Sequence, residues 1–398
     1  MILKRREFLQ IGSLASATLM MPKFLKAFEQ PLRVPPGNKV LVILQLSGGN
    51  DGLNTVIPVT NDLYYKARPR LGIKKTDALS LTADAGINPA LASFEALFDE
   101  GNLSVLNSVG YPNPDRSHFR SMDIWQSASD SKEYINTGWV GRYLDAQCKG
   151  CDKPTQALEL DDMLSLAMKG EQQKGFAFTD PRRLYSSSNE KFYKDLNKAH
   201  PAITDDTVDY LYKTMSATLS SADYIFKQSK LHPTSEIYPA TELGKNLKTI
   251  ASLIMSDINT KIYYVSVGSF DTHVGQDGQQ KRLFTEISDA VKSFTNDLKK
   301  NNRFDDVLLM TFSEFGRRVA QNASNGTDHG TANNMFFIGG DLKQKGIIND
   351  MPNLADLNEG DLKFQVDFKN VYATVLHKWL GADDKAILKK QYDYLQFI

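Results

Sequence analysis

The sequence predicts an α/β protein with an open, mostly parallel sheet and helices on both faces. Short apolar, β-branched runs alternate with longer segments of helical periodicity, an alternation typical of parallel sheets covered by helices. Because each run is apolar throughout, we expect strands that are buried on both faces. The expected strands are Val40–Leu46, Leu103–Asn107, Ile262–Val267, Val307–Phe312 and Met335–Ile338.

The remaining segments predict helices and one insertion. Residues 161–239 contain no convincing strand pattern and many Ser, Asp, Lys and Tyr residues, so we interpret them as a helical insertion within a single domain covering 39–398. The expected helices are Pro89–Phe98, His118–Ser127, Asp205–Gln228, Glu242–Ile258, Gln280–Lys299 and Asn370–Leu380.

Composition excludes several classes of protein. The chain has 398 residues, of which 41% are hydrophobic and 24% charged, and its 47 basic residues balance 47 acidic ones. This composition is typical of a globular chain and excludes a disordered or collagen-like one. With a net charge of zero and no basic cluster, the chain lacks the positive surface that nucleic acid requires, so we expect no nucleic-acid partner.

The N-terminus predicts export. Arg5 and Arg6 precede an uncharged run, Ile11 to Met21, and this arrangement resembles a twin-arginine signal read by the twin-arginine export machinery. A membrane span needs roughly 20 apolar residues, so this run predicts no stable transmembrane span. We interpret 1–30 as the signal segment, cut near Ala27 or kept as a tether, and 31–38 as a linker. A basic amphipathic first helix is the alternative. The expected location is the periplasm, the cell surface or the medium.

Acidic and histidine side chains follow three of the expected strands. Asp51 lies after the first strand, Asp271 and His273 after the third, and Glu314 after the fourth, with His329 further along the same connection. Ligands of open α/β sheets bind at the carboxyl ends of the strands, and carboxylate oxygen with imidazole nitrogen can meet one cation. The alternatives are a solvated Asp51 in a tight turn, and Asp271 as a helix cap beside a solvated His273.

A fourth polar cluster, Tyr111 to Phe119, precedes an expected helix. The positive end of a helix dipole would favour an alkoxide at Ser117 or a bound oxyanion. The guanidinium of Arg116 offers a forked pair of donors to an anionic group. A plain N-cap at Asp115 or Ser117 is the alternative. An ordinary Ser-His-Asp esterase is disfavoured because the sequence has no Gly-x-Ser-x-Gly motif.

Taken together, these segments resemble the exported family known as domain of unknown function 1501. The resemblance covers nearly the whole chain. Its motifs here are the paired arginines, Gln-Leu-Ser-Gly-Gly-Asn-Asp-Gly-Leu-Asn, Arg-Ser-His-Phe, Gly-Trp-Val-Gly-Arg, Phe-Asp-Thr-His, Ser-Glu-Phe-Gly-Arg and Asp-His-Gly-Thr-Ala-Asn. That family is similar in turn to the alkaline phosphatase and sulfatase superfamily, whose α/β sheet carries metal ligands on its strand-end loops.

The superfamily resemblance implies a set of site residues. The implied metal ligands are Asp51, Asp271, His273, Glu314 and His329. Ser117 corresponds to the hydroxyl nucleophile. Phe315 stands where the superfamily has the His of an Asp-His pair, which puts a second metal in doubt. A formylglycine sulfatase is excluded because Cys148 is followed by Lys-Gly-Cys.

The implied function is an exported metal-dependent hydrolase of phosphate or sulfate esters. Zinc is the expected metal, with manganese, calcium and magnesium as alternatives, and the expected partner is an anionic ester, either a small molecule or a polysaccharide. Ser117 or a water would attack, Arg116 would pair with the anion, and Asp51 and Glu314 would hold a second cation or orient the first. The alternative is a non-catalytic cell-surface or polymer-binding protein with a degenerate site on the same fold.

Export is expected to depend on both arginines. The double variant Arg5→Lys, Arg6→Lys should accumulate in the cytoplasm, because the short uncharged run would no longer follow an arginine pair. Cell fractionation of the wild type and the variant measures this. Unchanged export of the variant would contradict the twin-arginine interpretation.

Overall fold

The computed structural model describes residues 38–147, 155–191 and 206–398. The predicted signal segment, the linker up to residue 37, Cys148 and Cys151 lie outside these residues. Lys39–Ile398 forms one unit by its internal contacts. Among the described helices, none is long and apolar enough to cross a membrane.

Short and long strands alternate with helices along the described chain. The strands are β1 Val40–Leu46, β2 Val56–Ile57, β3 Leu79–Ser80, β4 Gly86–Ile87, β5 Leu103–Gly110, β6 Ala157–Glu159, β7 Phe176–Ala177, β8 Ile262–Val267, β9 Val307–Phe312, β10 Asn333–Ile338, β11 Gly346–Ile347, β12 Leu357–Asn358, β13 Asp361–Leu362 and β14 Val366–Asp367. The α-helices are α1 Gly52–Thr55, α2 Asp62–Ala67, α3 Ala92–Asp99, α4 His118–Ser127, α5 Trp139–Gln147, α6 Pro181–Ser188, α7 Asp206–Gln228, α8 Glu242–Met255, α9 Gln276–Lys300, α10 Phe368–Thr374 and α11 Asp384–Leu388. Two 3₁₀ turns, Leu166–Met168 and Phe304–Asp306, and a π-helical turn, Val375–Trp379, complete the set.

The main sheet has nine strands and is mostly parallel. Its order is β11–β5–β10–β9–β1–β8–β6–β7, and β14 also pairs with β5. β1 pairs in parallel with β8 and β9. β10 is antiparallel to both of its neighbours, β5 and β9. The predicted fold class is confirmed, with β10 as the strand that runs against the rest.

Four strands of this sheet, namely β6, β7, β11 and β14, were not expected from the sequence. β6 and β7 extend the sheet beyond β8 in parallel pairing. β7 lies inside the segment interpreted as helical, so the prediction of a purely helical insertion is wrong at this point. The reason is length, because strands of three and two residues are too short to show an alternating or continuous apolar pattern.

Helices cover both faces of the sheet, as predicted. Val42 and Leu44 of β1 belong to a core that includes residues of α3, α8 and α9. Leu41 and Ile43 belong to a second core that includes residues of α4, α5 and α10. Because neighbouring residues of a strand point to opposite faces, the apolar run of β1 supplies both cores at once.

The strand directions bring four loops to one edge of the sheet. β5 and β9 run the same way because β10 is antiparallel to both. The carboxyl ends of β1, β5, β8 and β9 therefore lie at the same edge, and β10 begins there. The loops after those four strands, of which the one after β9 leads into β10, carry every polar cluster that the sequence singled out.

A buried ion pair fixes the loop after β1. Arg68 Nη1 lies 2.6 Å from Asp51 Oδ2 and Arg68 Nη2 lies 2.9 Å from Asp51 Oδ1, with side-chain exposures of 0% and 1%. Asp51 also accepts hydrogen bonds from Gln276 of α9 and from the backbone of Leu53. The alternative of a solvated Asp51 is therefore wrong, because this carboxylate ties the loop to α2 and α9 inside the protein.

Asp51→Ala is expected to lower the free energy of unfolding by about 3–5 kcal/mol, because it leaves the Arg68 guanidinium buried and unpaired. Urea unfolding of the metal-free protein measures the loss. The double variant Asp51→Ala, Arg68→Met should recover part of it, since no charge then remains without its partner.

Asp356→Ala is the matched control, because Asp356 pairs with Lys363 at 62% side-chain exposure. Such a surface pair contributes about 0–1 kcal/mol. If Asp51→Ala instead leaves the metal-free stability unchanged and lowers the zinc content, Asp51 acts as the metal ligand that the superfamily resemblance implies.

Candidate metal centre

Three side chains from three loops bring possible metal ligands together. One ligand atom from each of His118, Asp271 and His329 lies within 4.8 Å of the other two. His118 Nε2 is 3.6 Å and His329 Nε2 is 3.3 Å from Asp271 Oδ1. His118 opens α4 after β5, Asp271 follows β8, and His329 precedes β10. This trio is a candidate His/Asp/His metal site.

Hydrogen bonds orient both imidazoles of this trio. His118 Nδ1 lies 2.9 Å from Glu314 Oε1, and His329 Nδ1 lies 2.8 Å from the backbone oxygen of Arg116. An Nδ1 that donates to an acceptor leaves Nε2 with its lone pair, which is the usual arrangement of a metal-binding histidine.

The Nε2 atom of His118 is available as a metal ligand. It is a buried polar atom with no hydrogen-bond partner in the described part of the chain. A buried polar atom without a partner is costly, and a metal ion between the three ligands would satisfy it. The residues present therefore fit a divalent metal.

The charges at this centre are set by neighbouring groups. Burial opposes ionisation of Asp271, but the hydrogen bond and charge of Arg317 prevail and hold its pKa at about 2. Burial lowers the pKa of His329. The hydrogen bond to Glu314 raises the pKa of His118, which makes its imidazole a more basic ligand. At neutral pH Asp271 is ionised and His329 is uncharged, the two forms that bind metal.

Arg317 joins the loops that carry these ligands. Its side chain is fully buried, and Nη2 lies 2.6 Å from Asp271 Oδ1. The remaining donors of the guanidinium are taken by backbone oxygens: Nε donates to Gly49, Nη1 to Thr327, and Nη2 also to Gly48 and Phe270. One side chain thus joins the loops after β1 and β8 to the connection between β9 and β10.

Glycines allow these loops to approach one another. Gly48 has φ +117°, and a Cβ there would lie 2.4 Å from the backbone nitrogen of Asp271. Gly49 has φ +76°, and a Cβ there would lie 2.3 Å from the ring of Phe315. In the structure these two glycines therefore admit the neighbouring loops that carry Asp271 and Phe315.

The remaining residues of the implied ligand set lie in different places. His273 Nδ1 is 2.8 Å from Asp271 Oδ1, next to the trio. Glu314 is 1% exposed, and its Oε1 contacts His118 and accepts a hydrogen bond from the Gly48 backbone. Asp51 is bound to Arg68 and is not brought to the trio. Asp271 does not cap α9, whose N-cap is Gly275.

Ser117 and Arg116 lie immediately before His118. Ser117 is exposed and occupies the N-cap position of α4 without a side-chain capping bond. Asp115 Oδ1 accepts a hydrogen bond from the Ser117 backbone at 2.7 Å. The Arg116 guanidinium contacts Asp361, so in this structure its side chain is engaged with a carboxylate of the protein.

Sequence reasoning missed His118 and Arg317 as parts of the centre. His118 stood in the Arg-Ser-His-Phe motif after an expected strand, the same kind of position that singled out Asp271. The superfamily pattern directed attention to the neighbouring Ser117 instead. Arg317 gave no signal beyond its place in Ser-Glu-Phe-Gly-Arg, because a buried guanidinium cannot be distinguished from an exposed one by sequence.

Comparison with solved structures finds distant similarity over most of the chain. Ps i-CgsB is 12% identical with a TM-score of 0.41, and the match covers 89% of this chain and 75% of that one. The PsFucS1 sulfatase from Pseudoalteromonas sp. is 10% identical with a TM-score of 0.38, covering 90% and 70%. A protein in the alkaline phosphatase superfamily from Vibrio parahaemolyticus is 11% identical with a TM-score of 0.35, covering 88% and 69%. Similarity at these TM-scores does not indicate a function.

No curated protein sequence matches the chain. The sequence profile described as "Protein of unknown function (DUF1501)" matches residues 110–395. This match spans the trio His118, Asp271 and His329 together with Arg317, and it confirms the resemblance drawn from the motifs. The chain belongs to the DUF1501 family.

Proposed function

We propose that the chain is an exported, metal-dependent hydrolase of phosphate or sulfate esters. The observation that carries this proposal is the convergence of His118 Nε2, Asp271 and His329 Nε2, with both Nδ1 atoms already bonded elsewhere. The paired Arg5 and Arg6 support export.

Zinc is the metal that this donor set favours. Two imidazole nitrogens and one carboxylate oxygen form a three-ligand set of the kind found in catalytic zinc sites, which keep a fourth position for water or substrate. Glu314 and the Arg116 carbonyl supply the outer hydrogen bonds that orient such ligands. A metal held here would polarise an ester oxygen and lower the pKa of a hydroxyl or water.

Two further residues, Ser117 and His273, would supply the nucleophile and the proton acceptor. Ser117 is exposed, precedes the ligand His118 and leaves its hydroxyl free of the helix cap. We therefore assign it the attack on the phosphorus or sulfur atom of the ester, which would break the bond to the alcohol and release it. A water would then remove the phosphate or sulfate group from Ser117. His273 lies with Nδ1 2.8 Å from Asp271 Oδ1. In the tautomer that donates from Nδ1, its Nε2 can accept the proton that the nucleophile releases.

A non-catalytic binding protein is the second candidate, and the arginines of the site favour it. The guanidinium groups of Arg116 and Arg318 both lie against Asp361, and the donors of Arg317 are used by loops and Asp271. An anionic ester would have to displace Asp361 to pair with Arg116. A centre that holds metal without turnover would leave these pairs in place.

His118→Ala is expected to reduce zinc affinity by at least tenfold and to abolish ester hydrolysis, because it removes one of three protein ligands. Ser117→Ala should keep zinc and lose hydrolysis. His377→Ala is the control, since His377 is 53% exposed and is not among the trio. Elemental analysis gives the zinc content, and aryl phosphates, phosphodiesters and aryl sulfates serve as substrates.

Two outcomes would contradict the proposal. Unchanged zinc content in His118→Ala would remove His118 from the centre. A zinc-loaded wild type that hydrolyses none of the three ester classes would support the binding-protein alternative.

A further inference from the structure

A cleft lies next to the metal centre, and the proposed function does not use it. It encloses about 330 Å³. Its lining is largely apolar and includes Tyr111, Phe315, Ala332, Leu362, Lys363 and Phe364.

The cleft and the metal centre share the Phe315 ring. The centroid of this ring lies 4.8 Å from that of His118 and 4.7 Å from that of His329. Ala332 comes three residues after His329, and Tyr111 opens the loop that leads to His118. A group seated in the cleft would therefore lie one aromatic ring away from the two imidazoles.

The lining suits an uncharged ring. Phe315 and Tyr111 are 2% and 3% exposed, and Phe364 is 37% exposed. The Tyr111 hydroxyl contacts Ser121 Oγ and accepts a hydrogen bond from the backbone N–H of Asp115. Its ring is therefore the part of Tyr111 that can contact a ligand in the cleft. Lys363 pairs with Asp356, which leaves little net charge at the opening. Aromatic side chains bind flat rings through edge and face contacts.

Size is consistent with such a ligand. An apolar cavity of about 150 Å³ is enough to hold benzene. The cleft is about twice as large, so a substituted ring fits.

We propose that this cleft binds the apolar, ring-shaped alcohol portion of the ester, with aryl esters as the favoured class. The inference rests on the proposed function, because the ester group is placed at the His118, Asp271 and His329 trio. In this inference Phe315 forms one wall of the cleft and packs against the ring of the ester. It stands at the position where the superfamily resemblance implies the histidine of an Asp-His pair.

The test compares phenyl phosphate with methyl phosphate. Isothermal titration of the zinc-loaded full chain carrying Ser117→Ala, which should not hydrolyse either compound, should give about tenfold tighter binding of phenyl phosphate, since a ring packed among aromatic side chains gains a factor of this order. Phe364→Ala should reduce the difference to about twofold or less. Phe119→Ala, a change at an 86% exposed phenylalanine outside the cleft, should preserve it.

A second measurement separates this inference from the proposed function. Saturation-transfer NMR of phenol with the metal-free full chain should show a signal that Phe364→Ala removes and Phe119→Ala retains. If neither phosphate binds but this phenol signal is seen, the placement of a phosphate ester at the trio fails, while the binding of a ring in the cleft is retained. If both phosphates bind equally, or if Phe364→Ala changes neither measurement, the cleft inference is overturned and the metal centre is unaffected.

Discussion

The guanidinium of Arg317 makes the interactions on which the candidate metal centre depends. A fully buried charge is costly unless it is paired and hydrogen-bonded. Here the pairing is with Asp271, and the hydrogen bonds go to backbone oxygens of Gly48, Gly49, Phe270 and Thr327. These partners come from the loops after β1 and β8 and from the connection between β9 and β10, which holds Arg317 itself. Satisfying one cation therefore fixes the position of the loops that carry Asp271 and His329, because a shift of either loop would leave a buried donor unpaired.

Asp271 connects this buried network to the surface. Its side chain is 48% exposed, and the same Oδ1 atom faces Arg317, His118, His273 and His329. Arg317 keeps the carboxylate ionised and oriented whether or not a metal is bound. The centre is thus organised in advance, and a metal would not have to move the loops to bind. The same ion pair opposes metal binding in one respect, because part of the negative charge of Asp271 is already neutralised.

Two positions that the sequence analysis linked to a second metal have other contacts in the structure. Asp51 forms a buried pair with Arg68 and stabilises the loop after β1. The ring of Phe315 packs against the imidazoles of His118 and His329. The candidate centre therefore consists of three side chains beside an apolar cleft.

The sequence alone determined the α/β class, the bounds of β1, β8 and β9, the family, and the presence of Asp271 and His329 at the relevant sheet edge. These features depend on local patterns, namely continuous apolar runs and polar motifs directly after them. The tertiary structure decided which side chains meet. It placed His118 beside Asp271, set Asp51 against Arg68, and buried Arg317. These contacts depend on the directions of β5 and β10 and on the hydrogen bonds of one guanidinium, which join residues up to 269 positions apart. Contacts at such separations depend on how the strands are ordered and oriented in the sheet, and a single sequence records neither.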